Sequence, residues 1–539
     1  MLDPLSVAGL TIAVFDQLLK LSERTIQFVS DARSFDKHVR LSEHKIRDEH
    51  NRSEQLRALL FTPTPLYDQN AMFDYFSEDV QDQIKILLIE AVGKLHEAVD
   101  LLDRRYHRRS HDTKLSPSGG SVTMFDRMRQ SSRSPLRVVQ WSFRDKKRTE
   151  TVMTEFTDLN RRIHENIKLF ILGSSLSVNP ERHLRHLQSN PASQQLGFNI
   201  DATLRLHVEN AEQTVEDCGL PQEPWEGILA AAHPVPGYEQ RYAIADDEDA
   251  AGSSLILEYR RYEPVGSQTA QQVDERTRTL LNWLARLLKV SKEEDFLVLR
   301  CRGWTYIPNQ EKIAFVFEPP PGFRGVPTSL LDLLRDSRAK LSLNERLQIA
   351  FGLARSVSHL QMVQWVHESI RSENILFFPA ADGPDPNEKQ INYAQPWVFG
   401  FEFSRPETFR SHGLTDVAIE RDVYRHPDRQ GRPSVKFQKI HDIYALGVVL
   451  LEIGLWESWE QMQKVRAAYQ HSARSLQSLL VQHAQRWLSR RMGDKYRDIV
   501  VKCLGGHFVM AEDTREELNL QQAFRAEVVD VLERSLAGI

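Results

Sequence analysis

The sequence predicts a multidomain chain, an N-terminal all-α helical bundle followed by an α+β domain of two lobes. Three observations lead there. Before position 200, apolar residues recur at helical spacing and β-branched alternation is almost absent. Strand-like runs then gather between 253 and 319 around one helix, and helices dominate again from about Leu341. The 539 residues exceed one domain, and 41% hydrophobic with 27% charged residues allows sizeable cores.

The elements follow in chain order. The opening segment is apolar at Leu5, Val7, Ala8, Leu10, Ile12, Ala13, Val14, Phe15, Leu18 and Leu19 and suits a buried first helix. Asp16 interrupts it and it is too short for a resident membrane span. Leu41 to Leu60 reads as helix with a weaker stripe. Ser77 is an expected N-cap, followed by Glu78 and Asp79 at the positive helix end. The stripe Val80, Ile84, Leu87, Leu88, Ala91, Leu95, Ala98 and Leu102 continues that helix. A further stripe runs Val152, Phe156, Leu159, Ile163, Ile167 and Phe170. Between the two, 107–135 is rich in Ser, Gly, Pro and Arg and reads as a long loop. From Arg104 to Arg148 there are 13 Arg or Lys against 3 Asp, a local charge of +10. That stretch suits a solvated loop or a surface for anionic lipid or an acidic partner.

A boundary is expected near 173–197, giving a bundle over 1–190 and a linker over 191–219. Strands are expected at 253–262, 296–307 and 312–319, with a helix over about 271–290. A last helix covers 516–539.

Composition excludes several classes. A net charge of −5 gives no global signal for nucleic acid. Cys218, Cys301 and Cys503 stand far apart, which excludes a disulfide scaffold or cysteine zinc site and fits a reducing compartment. The N-terminus lacks a basic region ahead of its apolar stretch and makes a poor signal peptide. No H-E-x-x-H, G-x-S-x-G or Walker loop occurs. His183 and His186 read as solvated linker histidines, so no metal site is expected.

Four segments in order carry a resemblance: 366-VHESIRSENILFF-378, 397-WVFGFEFSRP-406, 423-VYRHPDRQ-430 and 441-HDIYALGVVLLEIGLW-456, after a hinge-like 315-FVFEPPPGF-323. Over about 220–515 they resemble the protein-kinase fold. The resemblance places His367 and Ser369 in the catalytic triplet, Ser369 standing for the aspartate base. Arg371 replaces the usual lysine and Asn374 keeps one metal ligand. Gly400, Phe401 and Glu402 stand for the metal-binding triplet, so glycine replaces the main ligand, unless a shifted register brings Glu402 to the metal. No G-x-G-x-x-G precedes the first strands, since 227-GILAAAHPVPG-237 has one glycine at each end and prolines that remove amide donors, and only Arg260 or Arg261 lies near the strand-lysine position. Arg260 and Glu318 are the candidate nucleotide-cleft residues. The domain resembles a pseudokinase, with no catalytic residue, no required cofactor, and weak, magnesium-insensitive binding of ATP as the expectation.

The bundle carries a second resemblance. The segments 3-DPLSVAGLTIAVFDQLLKL-21 and 136-LRVVQWSFRDKKRTETVMTEFTDLNRRI-163 are similar to fungal HeLo-domain (prion-inhibition and propagation) proteins, which are related to the helical bundle of the mixed-lineage kinase domain-like executioner of necroptosis. The resemblance implies a cell-death effector that releases its N-terminal helix into membrane, here through Leu5, Val7, Leu10, Ile12, Val14 and Phe15. It also implies a cytoplasmic protein that moves to the membrane periphery, meeting anionic lipid and assembling as a homo-oligomer on activation by an unidentified sensor or protein partner. No amyloid-type tail rich in Gly and Asn follows the bundle. A divergent active Ser/Thr kinase and a non-enzymatic scaffold are the competing readings.

Overall fold

A computed structural model describes residues 7–31, 37–111, 144–173, 179–210, 216–247, 254–262, 273–380, 390–401, 405–406, 419–430, 435–462, 473–508, 513 and 517–538. The chain divides into two units, Met1–Asn199 and Ile200–Ile539.

The first unit is helical. Among its described residues, four long helices build it: α1 (Val7–Asp31), α2 (Lys37–Phe61), α3 (Glu78–His111) and α4 (Arg144–Gly173). Helix α1 packs on α2 and α3, and α4 packs on α3 and α2. Their apolar stripes meet in a core that buries Phe15, Leu18, Ile46, Leu60, Ile84, Leu88, Phe156 and Ile163. One polar pin crosses it: the Asn160 amide donates to Glu49 Oε2 (2.6 Å) and the Ser53 hydroxyl to Asn160 Oδ1 (3.1 Å). Burial raises the Glu49 carboxyl above its usual pKa, only partly offset by Arg52 and Asn160. Among the described residues, no helix is long and apolar enough to cross a membrane.

The helix read from Ser77 to Leu102 extends to His111, so the first residues of the expected loop are helical. The rest of the basic loop, 112–143, lies outside the described residues. The stretch read as linker holds two helices, Pro191–Gln195 and Phe198–Glu209, the first started by the Asn190 side chain accepting Ser193 N–H. His183 is a correction to the solvated reading. It is buried, with Tyr67 OH 2.7 Å from Nδ1 and Ile171 O 3.0 Å from Nε2, because Pro180–Ser189 turns that face inward.

The second unit mixes helices and small sheets. Its largest sheet is antiparallel in the order β1-β2-β3-β5-β4: β1 (His233–Pro234), β2 (Tyr242–Asp246), β3 (Ser254–Arg261), β4 (Cys301–Ile307) and β5 (Lys312–Phe317). Period-two alternation gives it two apolar faces. Leu255, Leu257 and Val316 meet Trp225 and Ile228 of the helix Gln222–Ala231. Ile256, Phe315 and Phe317 face the main core instead. Between β3 and β4 comes α5 (Glu275–Lys289), N-capped by Asp274, whose side chain accepts Thr277 N–H (3.0 Å). The strand expected from 296 begins only at Cys301, since Glu294–Phe296 form a tight turn and Leu297 sits at φ +52°.

Around the rest of the core lie α6 (Leu343–Met362), started by a Ser342/Glu345 capping box, and α7 (Lys439–Leu455), which is buried almost throughout. Gly447 lets α7 lie against a neighbour, since a Cβ there would stand 2.9 Å from Cys503 Cβ. The C-terminal helix is two helices, Leu518–Phe524 and Asp530–Ala537, joined by a π turn over Arg525–Val529.

Candidate functional site

Very short strands assemble the site. Trp397 pairs with Leu376 and Val398 with Ile375, and the Phe399 N–H donates to Asn374 O (2.8 Å). That pairing brings 399–401 beside the loop 367–374. Arg405–Pro406 pairs with Trp365–Val366 and fixes the other end. The loop hangs on Asp442 in the first turn of α7, whose carboxylate accepts the His367 N–H (2.8 Å) and Glu368 N–H (3.0 Å). The second bond is reached with Glu368 at φ +63°, which non-glycine residues adopt rarely. The His367 ring packs on Phe401 (4.5 Å between centroids), and Trp365 covers Phe401 from another side (5.2 Å).

Within this frame, Ser369 and Asn374 are held by hydrogen bonds and Glu373 by ion pairs. Ser369 is 5% exposed and Asn374 fully buried. The Ser369 hydroxyl accepts from Arg371 Nη1 (2.6 Å) and Asn374 Nδ2 (3.1 Å), and the same Nδ2 donates to Ser369 O (2.7 Å). On the other side, Asn374 Oδ1 accepts from Arg241 Nη2 (2.5 Å). The Glu373 carboxylate pairs with Arg241 Nη1 (3.2 Å) and with Arg371 Nε. Gly400 sits at φ +81°, and a Cβ there would stand 2.1 Å from Asn374 Nδ2. Its N–H donates to Glu258 Oε1 (3.1 Å), a buried carboxylate on β3.

Arg241 arrives from the turn between β1 and β2. Arg241 N–H donates to Tyr238 O (2.8 Å), and Tyr238 OH lies 2.7 Å from Ser329 Oγ and 3.3 Å from Asp332 Oδ1. Burial pushes the Tyr238 phenol up to about 12, so it stays a neutral donor. The turn is therefore docked over the loop 367–374, with Gly237 supplying its φ of +80°.

A second network lies beneath. The Tyr424 hydroxyl lies 3.0 Å from each Glu452 carboxyl oxygen and 2.8 Å from Ser372 Oγ, while Trp459 N–H donates to Glu452 Oε1 (3.0 Å). Burial pushes the Glu452 carboxyl up to about 8, so it holds its proton at neutral pH. The Tyr424 phenol is raised well above its usual value by the same burial and by Glu452.

Of the residues read from the sequence, His367, Ser369, Arg371, Asn374, Gly400 and Phe401 come together. Glu402 lies outside the described residues, as does Leu5. Arg260 stacks on the Phe315 ring (4.9 Å), and Glu318 pairs with Arg302 (3.1 Å). In the bundle, Phe15 is fully buried, Val7, Ile12 and Val14 are half-buried, and Leu10 is 40% exposed.

Sequence reasoning missed Arg241, Glu258, Glu373 and Asp442. Glu258 alone left a local signal, a single acid within the apolar run 255-LILEYRRY-262. The stretch 227–237 was no guide to Arg241, because its first part is the helix Gln222–Ala231 and only its end enters the β1–β2 turn.

A family described as "Domain of unknown function (DUF7580)" matches residues 324–538. No curated protein matches the chain.

Proposed function

We propose that the unit Ile200–Ile539 is a kinase-like domain that regulates without transferring phosphate, and that it controls a membrane-directed helical bundle. The observation that carries this is the engagement of Asn374, the one metal-ligand side chain retained, by Ser369 at one end and Arg241 at the other. Phosphoryl transfer needs a base and metal ligands placed at the reacting phosphate. Ser369 cannot act as that base at neutral pH, its hydroxyl is occupied, and Gly400 offers no ligand. A magnesium ion does not fit these residues: Asn374 Oδ1 already faces a guanidinium, and no three His, Cys, Asp or Glu side chains cluster suitably among the described residues. Support for the kinase-like reading comes from the sheet order β1-β2-β3-β5-β4 with α5 inserted between β3 and β4, beside the four motifs in sequence. Incubation of the full chain with labelled ATP and magnesium or manganese should give no incorporation. Incorporation lost on Asn374→Ala would defeat the reading.

For the bundle, α1 is the segment the HeLo resemblance points to. Its buried apolar residues already serve the core, where Phe15 meets the Phe61 ring edge-on at 5.7 Å, and at the half-exposed edge Arg57 Nε pairs with Asp16 Oδ1 (2.7 Å). Core and lipid compete for the same side chains, so membrane action requires release of α1. Lys and Arg from the stretch 104–148 would add about 1 kcal/mol each near an anionic surface. Leu10 separates folding from insertion, because it is exposed in the bundle yet central in the apolar segment. Leu10→Asp should change stability by no more than about 0.5 kcal/mol, its carboxylate lying near the positive end of α1. The same substitution should abolish leakage of anionic vesicles by residues 1–199. A folded Leu10→Asp unit that leaks vesicles as well as the parent would remove α1 as the inserting element and leave the scaffold reading ahead.

A further inference from the structure

We propose that the β1–β2 turn is a plug built into the cleft, and that the Arg241 guanidinium is the counter-cation there, occupying the place a divalent metal would take. The inference rests on the kinase-like reading and concerns how the domain holds its own cleft shut.

The geometry is that of a cation site. Asn374 Oδ1 and Glu373 Oε1, from adjacent residues of one loop, both face Arg241, at 2.5 and 3.2 Å. An amide oxygen and a carboxylate are ligands suited to a hard divalent ion. Here the guanidinium fork satisfies both, and its Nη2 also reaches Tyr242 OH (3.2 Å). The pair is largely withdrawn from water, with the Arg241 and Glu373 side chains 17% and 22% exposed. Removal of Arg241 therefore leaves Asn374 Oδ1 without that donor and Glu373 with Arg371 but not Arg241 to balance it, a larger loss than at a surface ion pair.

The second anchor is Tyr238, three residues earlier, held by Ser329 and Asp332 at the start of the helix Leu330–Arg335. Two side chains of one turn thus tie the strand-rich part of the unit to two separate places in its helical part. A third tie lies alongside, since Tyr242 pairs with Glu258 across β2 and β3 and Glu258 accepts the Gly400 N–H. A loop whose backbone amides covered a nucleotide would need to stand off from 373 and 374. This one is fastened to them.

If Arg241 is the resident cation, its removal should create a need that an external cation meets. Arg241→Ala in the full chain should lower Tm in EDTA. Millimolar MnCl2 should then raise it by about 2 °C. The wild-type chain should not respond, and neither should Arg241→Ala/Asn374→Ala, which controls for manganese on surface histidines. Should Arg241→Ala fail to fold, Arg241→Gln serves, since it keeps a donor toward Asn374 and loses the charge. A folded Arg241 variant indifferent to manganese would overturn the proposal, as would a wild-type chain that manganese stabilises to the same extent. Phosphotransfer by the wild type is measured in parallel. Incorporation there would sink the regulatory reading, whereas a silent wild type with a manganese-indifferent variant would sink only the plug.

Discussion

Gly400→Asp, which writes back the metal-binding residue of the kinase pattern, should destabilise the Ile200–Ile539 unit by about 2–5 kcal/mol and restore no activity. Two costs add. At φ +81° any L side chain is strained, and a Cβ at 400 would stand 2.1 Å from Asn374 Nδ2 and 2.5 Å from its Cγ. Asn374 cannot step aside cheaply, since it is fully buried and bonded to Ser369 and Arg241. Gly400→Ala should lose most of the same stability, because the Cβ and not the charge is the obstacle. Combining it with Asn374→Gly should recover part of the loss, and that coupling is the signature of a direct clash. Equal Tm values for wild type and Gly400→Ala would show that the loop yields to a Cβ at 400 and that Asn374 is not fixed there. Ser369→Asp alone meets a different difficulty, since it puts a larger, charged side chain into the buried place where the Ser369 hydroxyl meets Arg371 and Asn374, beside the Glu373 carboxylate.

Glu452 should make the unit less stable as pH rises from about 5 to about 8. Its folded pKa of about 8 lies above the ordinary carboxyl value of 4.5. Between those values the folded chain keeps a proton that the unfolded chain has released. Stability from this group is therefore complete below the lower value, falls as pH rises and is gone above the upper one. The slope reaches at most about 1.4 kcal/mol per pH unit. Glu452→Gln keeps an acceptor for the Tyr424 hydroxyl and removes the titration. The difference in Tm between wild type and Glu452→Gln should shift against the wild type across that window. His441 contributes at the acid end with opposite sign, since burial holds its pKa down to about 3 and its stabilisation fades as pH falls. Because it is present in both proteins, the comparison isolates Glu452. Parallel curves from pH 5 to 8.5 would show that water reaches the carboxyl and that the Tyr424, Ser372 and Trp459 contacts do not seal it.

Much of the architecture was legible because local rules act within a few residues. The stripes of α3 and α4 set their helices through the 3.6-residue period, and 77-SED-79 marked the start of α3. The runs at 254–261 and 312–317 became β3 and β5 for the same kind of reason. Errors fell where packing outweighed local pattern. Residues 297–299 are apolar and strand-like, yet they stay outside the sheet because Leu297 turns the chain. The linker at 191–219 was polar enough to read as a connector, and Asn190 with Pro191 at its boundary instead capped a helix.

The candidate site divides in the same way. Sequence by itself determined that a serine stands at 369 and a glycine at 400, the positions that the kinase resemblance aligns with the base and the main metal ligand. It could not determine what surrounds them. Arg241 lies 132 and 133 residues from Glu373 and Asn374, Glu258 lies 142 residues from Gly400, and Asp442 lies 75 from His367. Bonds that long in sequence have no period and no local signature. They exist only after strands and helices have packed, when each buried donor or acceptor must find a partner or cost about 1–3 kcal/mol. The exposure of Leu10 beside the burial of Phe15 was settled likewise, since both are apolar residues of one helix and only the neighbouring helices decide which one faces water.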